Sequence, residues 1–237
     1  MLNLSHFRND MRQIFRDPIM GILLFGPLLL ILIFKLFFLF AIPYLSNKYS
    51  LELTIYYPYA LSGVIVISSG MMGIVTGFLM MDERDGNISE LISVTPLGHL
   101  GYLFNRLTFA AIPSAIYTLL ACIILYPESL NIITVLLISA MSALYSSVLG
   151  LLIFNGADNK VKGLTFAKGL NSFALFAFSD LFNLEWLTIV SYAFPPFWIT
   201  HLIKNQYSAY AAIAALLIHA AWFVLLLKRY LKRYAVR

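Results

Sequence analysis

The sequence predicts an all-α polytopic membrane protein with six transmembrane helices, and three observations predict that fold class. Hydrophobic residues make up 61% of the 237 residues, whereas charged residues make up only 11%. The mean hydropathy is +0.85. In soluble globular proteins about half of the residues are apolar and about a quarter are charged. Apolar runs of roughly 20 residues, the length that crosses a bilayer as a helix, recur along the chain.

The N-terminal segment, residues 1–17, predicts an amphipathic helix that lies in the membrane interface. Apolar residues recur there at helical spacing while arginines occupy other faces, a pattern typical of interfacial helices; the apolar set is Leu4, Phe7, Met11, Ile14 and Phe15. Asp17-Pro18 ends this helix, because a residue before proline avoids the helical conformation. A positively charged anchor that only sets topology is the alternative interpretation.

Six later segments have the length and composition of spans. Five are strongly apolar, and the sixth is apolar and aromatic but carries Lys168, Asn171 and Asp180. In chain order the predicted spans are 19–42, 56–81, 102–126, 131–154, 164–183 and 208–227. Asn171 lies deepest and is the best candidate for a residue facing the transport path, with an interhelical hydrogen bond as the alternative.

The net charge of +5 follows the pattern of a membrane protein. Lysine and arginine favour the cytoplasmic flanks of spans. With the N-terminus inside, 13 of the 16 basic residues lie on the inner side, and the other three are Lys35, Lys48 and Lys204. Both termini are therefore expected in the cytoplasm, and nucleic acid is not expected as a partner. The single cysteine, Cys122, predicts neither a disulfide framework nor a metal cluster.

Residues 82–97 form a compact polar segment between two spans and predict a short surface helix. Asn87 and Glu90 have the spacing of a capping box, and Pro96 ends the helix. Its apolar residues fall on one side at helical spacing: Ile88, Leu91, Ile92 and Thr95. Such a helix is too short to span the bilayer and is expected to dock against something. An ordinary loop whose helix packs on its own bundle is the alternative.

Residues 184–203 are apolar and aromatic but are interrupted by Pro195-Pro196. Proline breaks a helix interior, so this segment is expected to enter the membrane from the outside and return. Its aromatic residues suit an interfacial belt; they include Trp186, Tyr192, Phe194, Phe197 and Trp198. A plain extracellular loop with aromatic anchors is the alternative.

Three stretches resemble the permeases of ABC-2-type transporters. The run from Glu83 to Pro96, ERDGNISELISVTP, resembles the family signature after the second span, with Asn87 and Ile88 where Thr and Leu are usual. The run RQIFRDP at residues 12–18 is similar to the family's amphipathic lead-in helix. The run YAFPPFWIT at residues 192–200 is similar to the stretch before the last span. The resemblance covers essentially the whole chain as a single transmembrane domain.

The resemblance implies that residues 82–97 are a coupling helix, which docks in a groove of a separate ATP-binding subunit. Ile88, Leu91 and Ile92 would be the docking residues, on the helix that begins with the Asn87–Glu90 capping box and ends at Pro96. Glu83 and Arg84 would hold the loop and Gly86 would allow the turn; a mutual or solvated ion pair of Glu83 with Arg84 is the alternative.

The resemblance also implies a complex of several subunits. The chain has no phosphate-binding loop, so ATP and Mg would be bound by the partner ATPase and no cofactor by this chain. A second copy or a paralogue would complete the transporter in the membrane lipid. The segment 184–203 would form the outer gate, and its candidate gate residues are Phe194, Pro195, Pro196, Phe197 and Trp198.

The expected function is that of a permease subunit of an ATP-driven exporter in a bacterial cytoplasmic membrane, without enzymatic activity of its own. No buried charge is expected in the spans, which favours a hydrophobic or amphipathic compound, such as a drug, lipid or peptide, over a polar solute. Phe173, Phe176 and Phe178 suggest an aromatic lining. The alternatives are a stand-alone secondary transporter, an immunity-type membrane protein and an intramembrane enzyme. The enzyme is disfavoured because no catalytic motif accompanies the histidines.

Overall fold

The computed structural model describes residues 4–50, 52–93, 98–126, 130–206 and 208–234. Within these ranges the regular elements are all helical, as the sequence predicts. Several shorter helices, a π-helical turn and two 3₁₀ segments lie between the long apolar helices.

The first helix, α1, covers Leu4–Arg16, and α2 covers Pro18–Leu36. Asp17 separates them as predicted, because its backbone is extended at φ −107° and ψ 109°. Its carboxylate accepts the backbone N–H groups of Ile19 and Met20, and proline occupies the first turn of α2, where its missing N–H costs nothing. The predicted boundary is confirmed, and the residue that ends one helix also begins the next.

The remaining elements follow α2 in chain order. After α2, a π-helical turn at Phe37–Ala41 leads directly into α3, Ile42–Tyr49. A 3₁₀ turn at Thr54–Tyr56 precedes α4, Tyr57–Asp85. The remaining helices, in order, are α5 Ile88–Ser93, α6 Gly98–Leu125, α7 Ile132–Gly156, α8 Lys160–Asn171, α9 Glu185–Ser191, α10 Pro195–Asn205 and α11 Ala209–Tyr234.

Within the described ranges, five helical runs are long and apolar enough to cross a membrane, and they match five of the six predicted spans. They are Pro18–Tyr49, Thr54–Asp85, Gly98–Leu125, Ile132–Gly156 and Ala209–Lys232. The hydrophobic runs identified from sequence therefore correspond to continuous helices. Each helix extends beyond its apolar run by a few residues, because helical hydrogen bonding continues into the polar flanks.

The sixth predicted span, 164–183, is not confirmed as a regular transmembrane helix. Its first part belongs to α8, but Ser172–Phe182 forms an 11-residue 3₁₀ helix. Runs of 3₁₀ helix longer than three or four residues are uncommon, because their hydrogen-bond geometry is poorer than that of the α-helix. The segment is an extended, narrow continuation of α8.

The central helix of the bundle is α4. In its most apolar window 89% of the residues are buried, against 17% in the run that contains α2. It packs against α2, α6 and α7, and the contact with α7 is close because glycines face it. A Cβ added to Gly73 would lie 2.6 Å from the carbonyl oxygen of Ser146. Small residues allow membrane helices to approach in this way.

The predicted interruption at Pro195-Pro196 is displaced by a few residues. The break consists of residues 192–194, between α9 and α10, whereas the two prolines form the first turn of α10. Proline fits a first turn because no intrahelical partner is needed there. Phe197 and Trp198, expected in an interfacial aromatic belt, are instead buried among neighbouring helices, so that prediction is wrong for these two residues.

Candidate functional site

A buried charge cluster lies at the end of α4, immediately before the predicted coupling loop. Glu83 is 3% exposed, and its carboxylate accepts hydrogen bonds from Tyr102 at 2.7 Å and from Arg106 at 2.5 Å. Arg106 also donates to the carboxylate of Asp10 at 2.6 Å. These contacts join α1, α4 and α6, because Asp10 lies on the first helix and both donors to Glu83 lie on α6. We call Asp10, Glu83, Tyr102 and Arg106 the buried cluster.

The expectation that no charge is buried in the spans is therefore wrong. Burial of isolated charges is prohibitive, but Arg106 meets two carboxylates and Glu83 has two donors. Removing one member of such a buried pair costs about 3–5 kcal/mol, because the other charge is left without a partner. The buried cluster therefore fixes α1, α4 and α6 to one another at this end of the bundle.

A second, partly exposed cluster lies beside it. The Lys160 ammonium group donates to Asp17 at 2.6 Å and to Asp82 at 2.8 Å, and Gln13 donates to Asp82 at 3.2 Å. The cluster joins the junction of α1 and α2 with the end of α4 and the start of α8. We call these four residues the rim cluster.

Proton affinities in the rim cluster reflect its ion pairs. Burial acts to raise the pKa of Asp17, but the hydrogen bond and charge of Lys160, together with backbone N–H groups, hold that pKa below its usual value. Burial acts to lower the pKa of Lys160, but its hydrogen bonds and charge contacts with Asp17 and Asp82 raise it. Both groups are therefore charged around neutral pH.

Arg84 connects α4 to the segment that follows α7. Its guanidinium group donates to the carbonyl oxygens of Ala157 at 3.4 Å and Asp158 at 2.6 Å. It also pairs with Asp85 at 3.2 Å and lies over the ring of Phe154. Glu83 and Arg84 are adjacent in sequence but contact different parts of the bundle. A solvated pair between them does not describe Glu83, whose side chain is buried.

The turn between α4 and α5 differs in detail from the prediction. Gly86 has φ −86°, which any residue can adopt, and the left-handed residue is Asn87 at φ 56°. Gly86 therefore lies in the predicted turn, but its backbone conformation does not require glycine. Asparagine tolerates left-handed backbone better than most residues. The conformation of Asn87 is not the extended one of a helix N-cap, and the side chain of Glu90 lies outside the described residues.

The three predicted docking residues on α5 have different environments. Leu91 is 67% exposed and Ile88 is 42% exposed, so both face away from the bundle. Ile92 is partly buried and packs against the apolar core. Pro96, the predicted end of the helix, lies outside the described residues. The structure thus places two apolar side chains of α5 on its outer surface and uses the third to hold the helix against α4 and α6.

At the other end of the bundle, the predicted gate residues are packed tightly. Phe194 stacks on Phe176 with ring centroids 3.9 Å apart and rings nearly parallel. Pro195 and Pro196 are buried, and Trp198 donates to the carbonyl oxygen of Tyr192 across the turn. The five predicted gate residues therefore lie together at the tightly packed N-terminus of α10.

Two polar side chains of α10, Thr200 and Lys204, hold this helix in place. A short hydrogen bond joins Ser62 of α4 to Thr200. The ammonium group of Lys204 donates to Tyr59 at 2.7 Å and to Asp180 at 2.9 Å, which links α10 to α4 and to the 3₁₀ helix. Asn171, the predicted path residue, is the last residue of α8, and its side chain lies outside the described residues.

Comparison with known proteins identifies the family. Residues 10–228 match the family described as Rv2686c-like, fluoroquinolones export permease protein. The chain belongs to this Rv2686c-like permease family. It is similar to two proteins of Mycobacterium tuberculosis, the fluoroquinolones export permease proteins MT2760 of strain CDC 1551 and Rv2686c of strain H37Rv, at 27% identity over 168 residues in each case.

The matched part covers 69% of this Rv2686c-like chain and 66% of each relative, which is slightly less than two thirds of their length. No solved structure matches the chain significantly. Family membership, together with the five long apolar helices among the described residues, supports a multi-pass membrane protein of a permease family.

Several residues at the polar sites of this Rv2686c-like permease were not singled out from the sequence. They are Asp10, Asp82, Tyr102, Arg106 and Lys160, and Asp17 was identified only as a helix boundary. Arg106 offered a signal, because an arginine inside an apolar run of membrane length requires a partner. Its partners could not be identified in the same way, since they lie 23 and 96 positions away in the sequence.

Proposed function

We propose that the chain is the membrane subunit of an ATP-driven exporter of the ABC-2 type. The supporting observation is the combination at the end of α4: an anchored helix end followed by a short helix with two exposed apolar side chains, Ile88 and Leu91. Exposed apolar groups beside a polar surface are typical of a protein-binding site. The occupant we propose is a separate subunit that binds ATP and Mg.

The proposed topology has six spans, with both termini in the cytoplasm. The fifth span is α8 together with the 3₁₀ helix. The 12 α-helical residues are about 18 Å long and the 11 residues in 3₁₀ conformation about 22 Å. The sum of the two lengths exceeds the ~30 Å thickness of a bilayer core. α9 and α10 then form the re-entrant gate on the outer side. A second copy or a paralogue completes the transporter in the lipid.

The proposed mechanism uses the two polar clusters to transmit movement. When the ATPase moves α5, the buried cluster carries that displacement to α1 and α6, because separating its charges is costly. Arg84 and the rim cluster carry it to the start of α8. The helices at the inner end then move together, and the change reaches the outer gate through α8 and its 3₁₀ continuation.

We propose that the exported compound is a drug-like amphipath. The relatives are named as fluoroquinolones export permease proteins, and fluoroquinolones are aromatic drugs. The interior that the structure describes is also predominantly apolar between the polar clusters. This supports an amphipathic organic compound over a hydrophilic solute.

The test is co-purification of the ATPase with variants of this chain. Leu91→Asp is expected to abolish the association, because a charge is placed at the centre of the apolar docking surface. Ile132→Asp is the matched control, since Ile132 is 73% exposed but lies at the first residue of α7 on the other side of the membrane. Full association and ATP-dependent transport by Leu91→Asp would refute the assignment of α5.

One observation favours a second candidate, a transporter driven by an ion gradient. Such a protein requires a buried ionisable group, and Glu83 is one. Its carboxylate is nevertheless occupied by Tyr102 and Arg106, which suits a structural joint. Purified chain in vesicles discriminates the two: uptake driven by a pH gradient without nucleotide would select the second candidate.

A further inference from the structure

An open groove of about 630 Å³ runs along the outside of α8. Its walls come from α7, α8, the beginning of the 3₁₀ helix and α11. The lining is mainly apolar and includes Leu152, Val161, Phe166, Leu170, Phe173 and Trp222. The groove volume falls in the range of ~300–1,000 Å³ that is typical of sites for drug-sized ligands.

The two ends of this groove differ in chemistry. Lys162 lies at one end, and its pair with Asp158 is an exposed i,i+4 contact at 3.1 Å, of the kind that contributes little. Phe173 and Trp222 form the other end, with ring centroids 6.4 Å apart. Lys162 and Phe173 are 11 positions apart on a nearly continuous helix, which corresponds to about 16 Å.

The aromatic end is continuous with the turn before α10. Phe194 lies against both end residues, with centroids 5.3 Å from Phe173 and 6.1 Å from Trp222. The indole N–H of Trp222 also donates to the carbonyl oxygen of Ala193 at 2.9 Å. A molecule in the groove would therefore contact the same rings that hold the proposed gate turn.

A glycine keeps the middle of the groove open. Gly169 lines it, and a Cβ built there would meet no other heavy atom within 4 Å. The space above Gly169 is therefore groove volume and not packed protein. A larger side chain at this position would fill the groove without displacing neighbours.

We propose that this groove binds the exported compound, and that the compound is an aromatic amphipath with an acidic group. The proposal rests on the export function proposed above and adds the binding site and its chemical preference. The aromatic part packs against the groove-facing sides of Phe173 and Trp222, whose rings favour offset or edge contacts. The acidic group faces Lys162, the cation at the opposite end.

The test measures equilibrium binding of norfloxacin, a fluorescent aromatic carboxylate, to the full chain in lipid nanodiscs. Gly169→Phe is expected to weaken binding by a factor of ten or more, on the order of the loss of one buried aromatic contact, whereas Gly169→Ala has a small effect. Lys162→Gln is expected to weaken binding about tenfold. Lys168→Gln is the matched control, because this exposed lysine is on the same helix but does not line the groove.

The methyl ester of norfloxacin tests the acidic group. Its binding is expected to be weakened by Gly169→Phe but not by Lys162→Gln. Unchanged norfloxacin binding in Gly169→Phe, with a normal elution profile, would overturn the groove. Equal losses for acid and ester in Lys162→Gln would overturn the acidic preference. Release of a co-purified lipid by Gly169→Phe, without any change in norfloxacin affinity, would identify the occupant as lipid and also overturn the proposal.

These outcomes are separate from those that test the export function. ATP-dependent transport of norfloxacin by the complex of the unaltered chain and its ATPase tests that function. If transport occurs and Gly169→Phe transports with unchanged KM, the groove assignment is wrong while the function stands. If groove variants lose binding but nucleotide never drives transport, the function is wrong and the site remains.

Discussion

Replacing Arg106 by methionine is the most direct test of the buried cluster. The change keeps most of the side-chain volume but removes the cation that serves Asp10 and Glu83. Both carboxylates have little exposure, at 10% and 4% of their side-chain surface, so water cannot replace the lost partner. The expected cost is about 3–5 kcal/mol.

That cost has a measurable consequence for thermal unfolding. For chains of about 150–250 residues, each kcal/mol shifts Tm by roughly 2–4 °C, so Arg106→Met is expected to lower Tm by about 10 °C. The assay is thermal unfolding of the purified chain in detergent. Lys162→Met is the matched control, because its pair with Asp158 is solvent-exposed and the expected shift is at most about 2 °C.

A double-mutant cycle separates the ion pair from general damage to the bundle. Glu83→Gln removes one stranded charge, so it is expected to cost less in the Arg106→Met background than in the unaltered chain. Tyr102 can still donate to the glutamine oxygen in both backgrounds. Additive effects, or a Tm shift for Arg106→Met no larger than that of Lys162→Met, would refute the reasoning.

Three further predictions concern other parts of the chain. Because the pKa of Asp17 is lowered in the folded chain, its pair with Lys160 stabilises the fold above the ordinary aspartate pKa of 3.8, and this stability is lost as pH falls through the lower folded pKa. Asp17→Asn should therefore reduce the decrease of Tm that the unaltered chain shows at acidic pH. An unchanged decrease of Tm would contradict this prediction. Gly73→Ala should lower Tm by several degrees because of the close helix contact, while Gly169→Ala should not; equal shifts would exclude the packing argument. Phe197 is buried in α10, so a cysteine introduced in its place should react with a thiol reagent only during ATP turnover by the complex. Labelling at the same rate with and without nucleotide would show that Phe197 is not part of a gate.

The long helices could be predicted from the sequence because their signal is local. A run of apolar residues needs no knowledge of its neighbours to indicate a span, and the Asp17-Pro18 boundary depends on adjacent residues only. The 3₁₀ conformation of Ser172–Phe182 was not predicted, since its residues are as compatible with an α-helix. The environment of the segment, including α10 packed against it, has no local signature.

The candidate site was predicted only in part for the same reason. The segment after α4 was identified by its charge and spacing, and Leu91 is indeed exposed. The partners of Glu83 come from α1 and α6, and no spacing rule connects them. Gly86 was expected to allow the turn after α4, but the left-handed residue there is Asn87, because asparagine also tolerates that conformation.

The 11-residue 3₁₀ helix is longer than an α-helix of the same residues would be. Its rise is about 2.0 Å per residue, against about 1.5 Å in an α-helix, so conversion of Ser172–Phe182 to α-helix would shorten the rod by about 5 Å, nearly one full turn. The same conversion would rotate successive side chains by about 100° instead of about 120° each, so Phe173 and Phe176 would turn through different angles. Such a change of helical winding would therefore bring the two ends of this segment closer together and change the angle between the side chains of Phe173 and Phe176 about the helix axis.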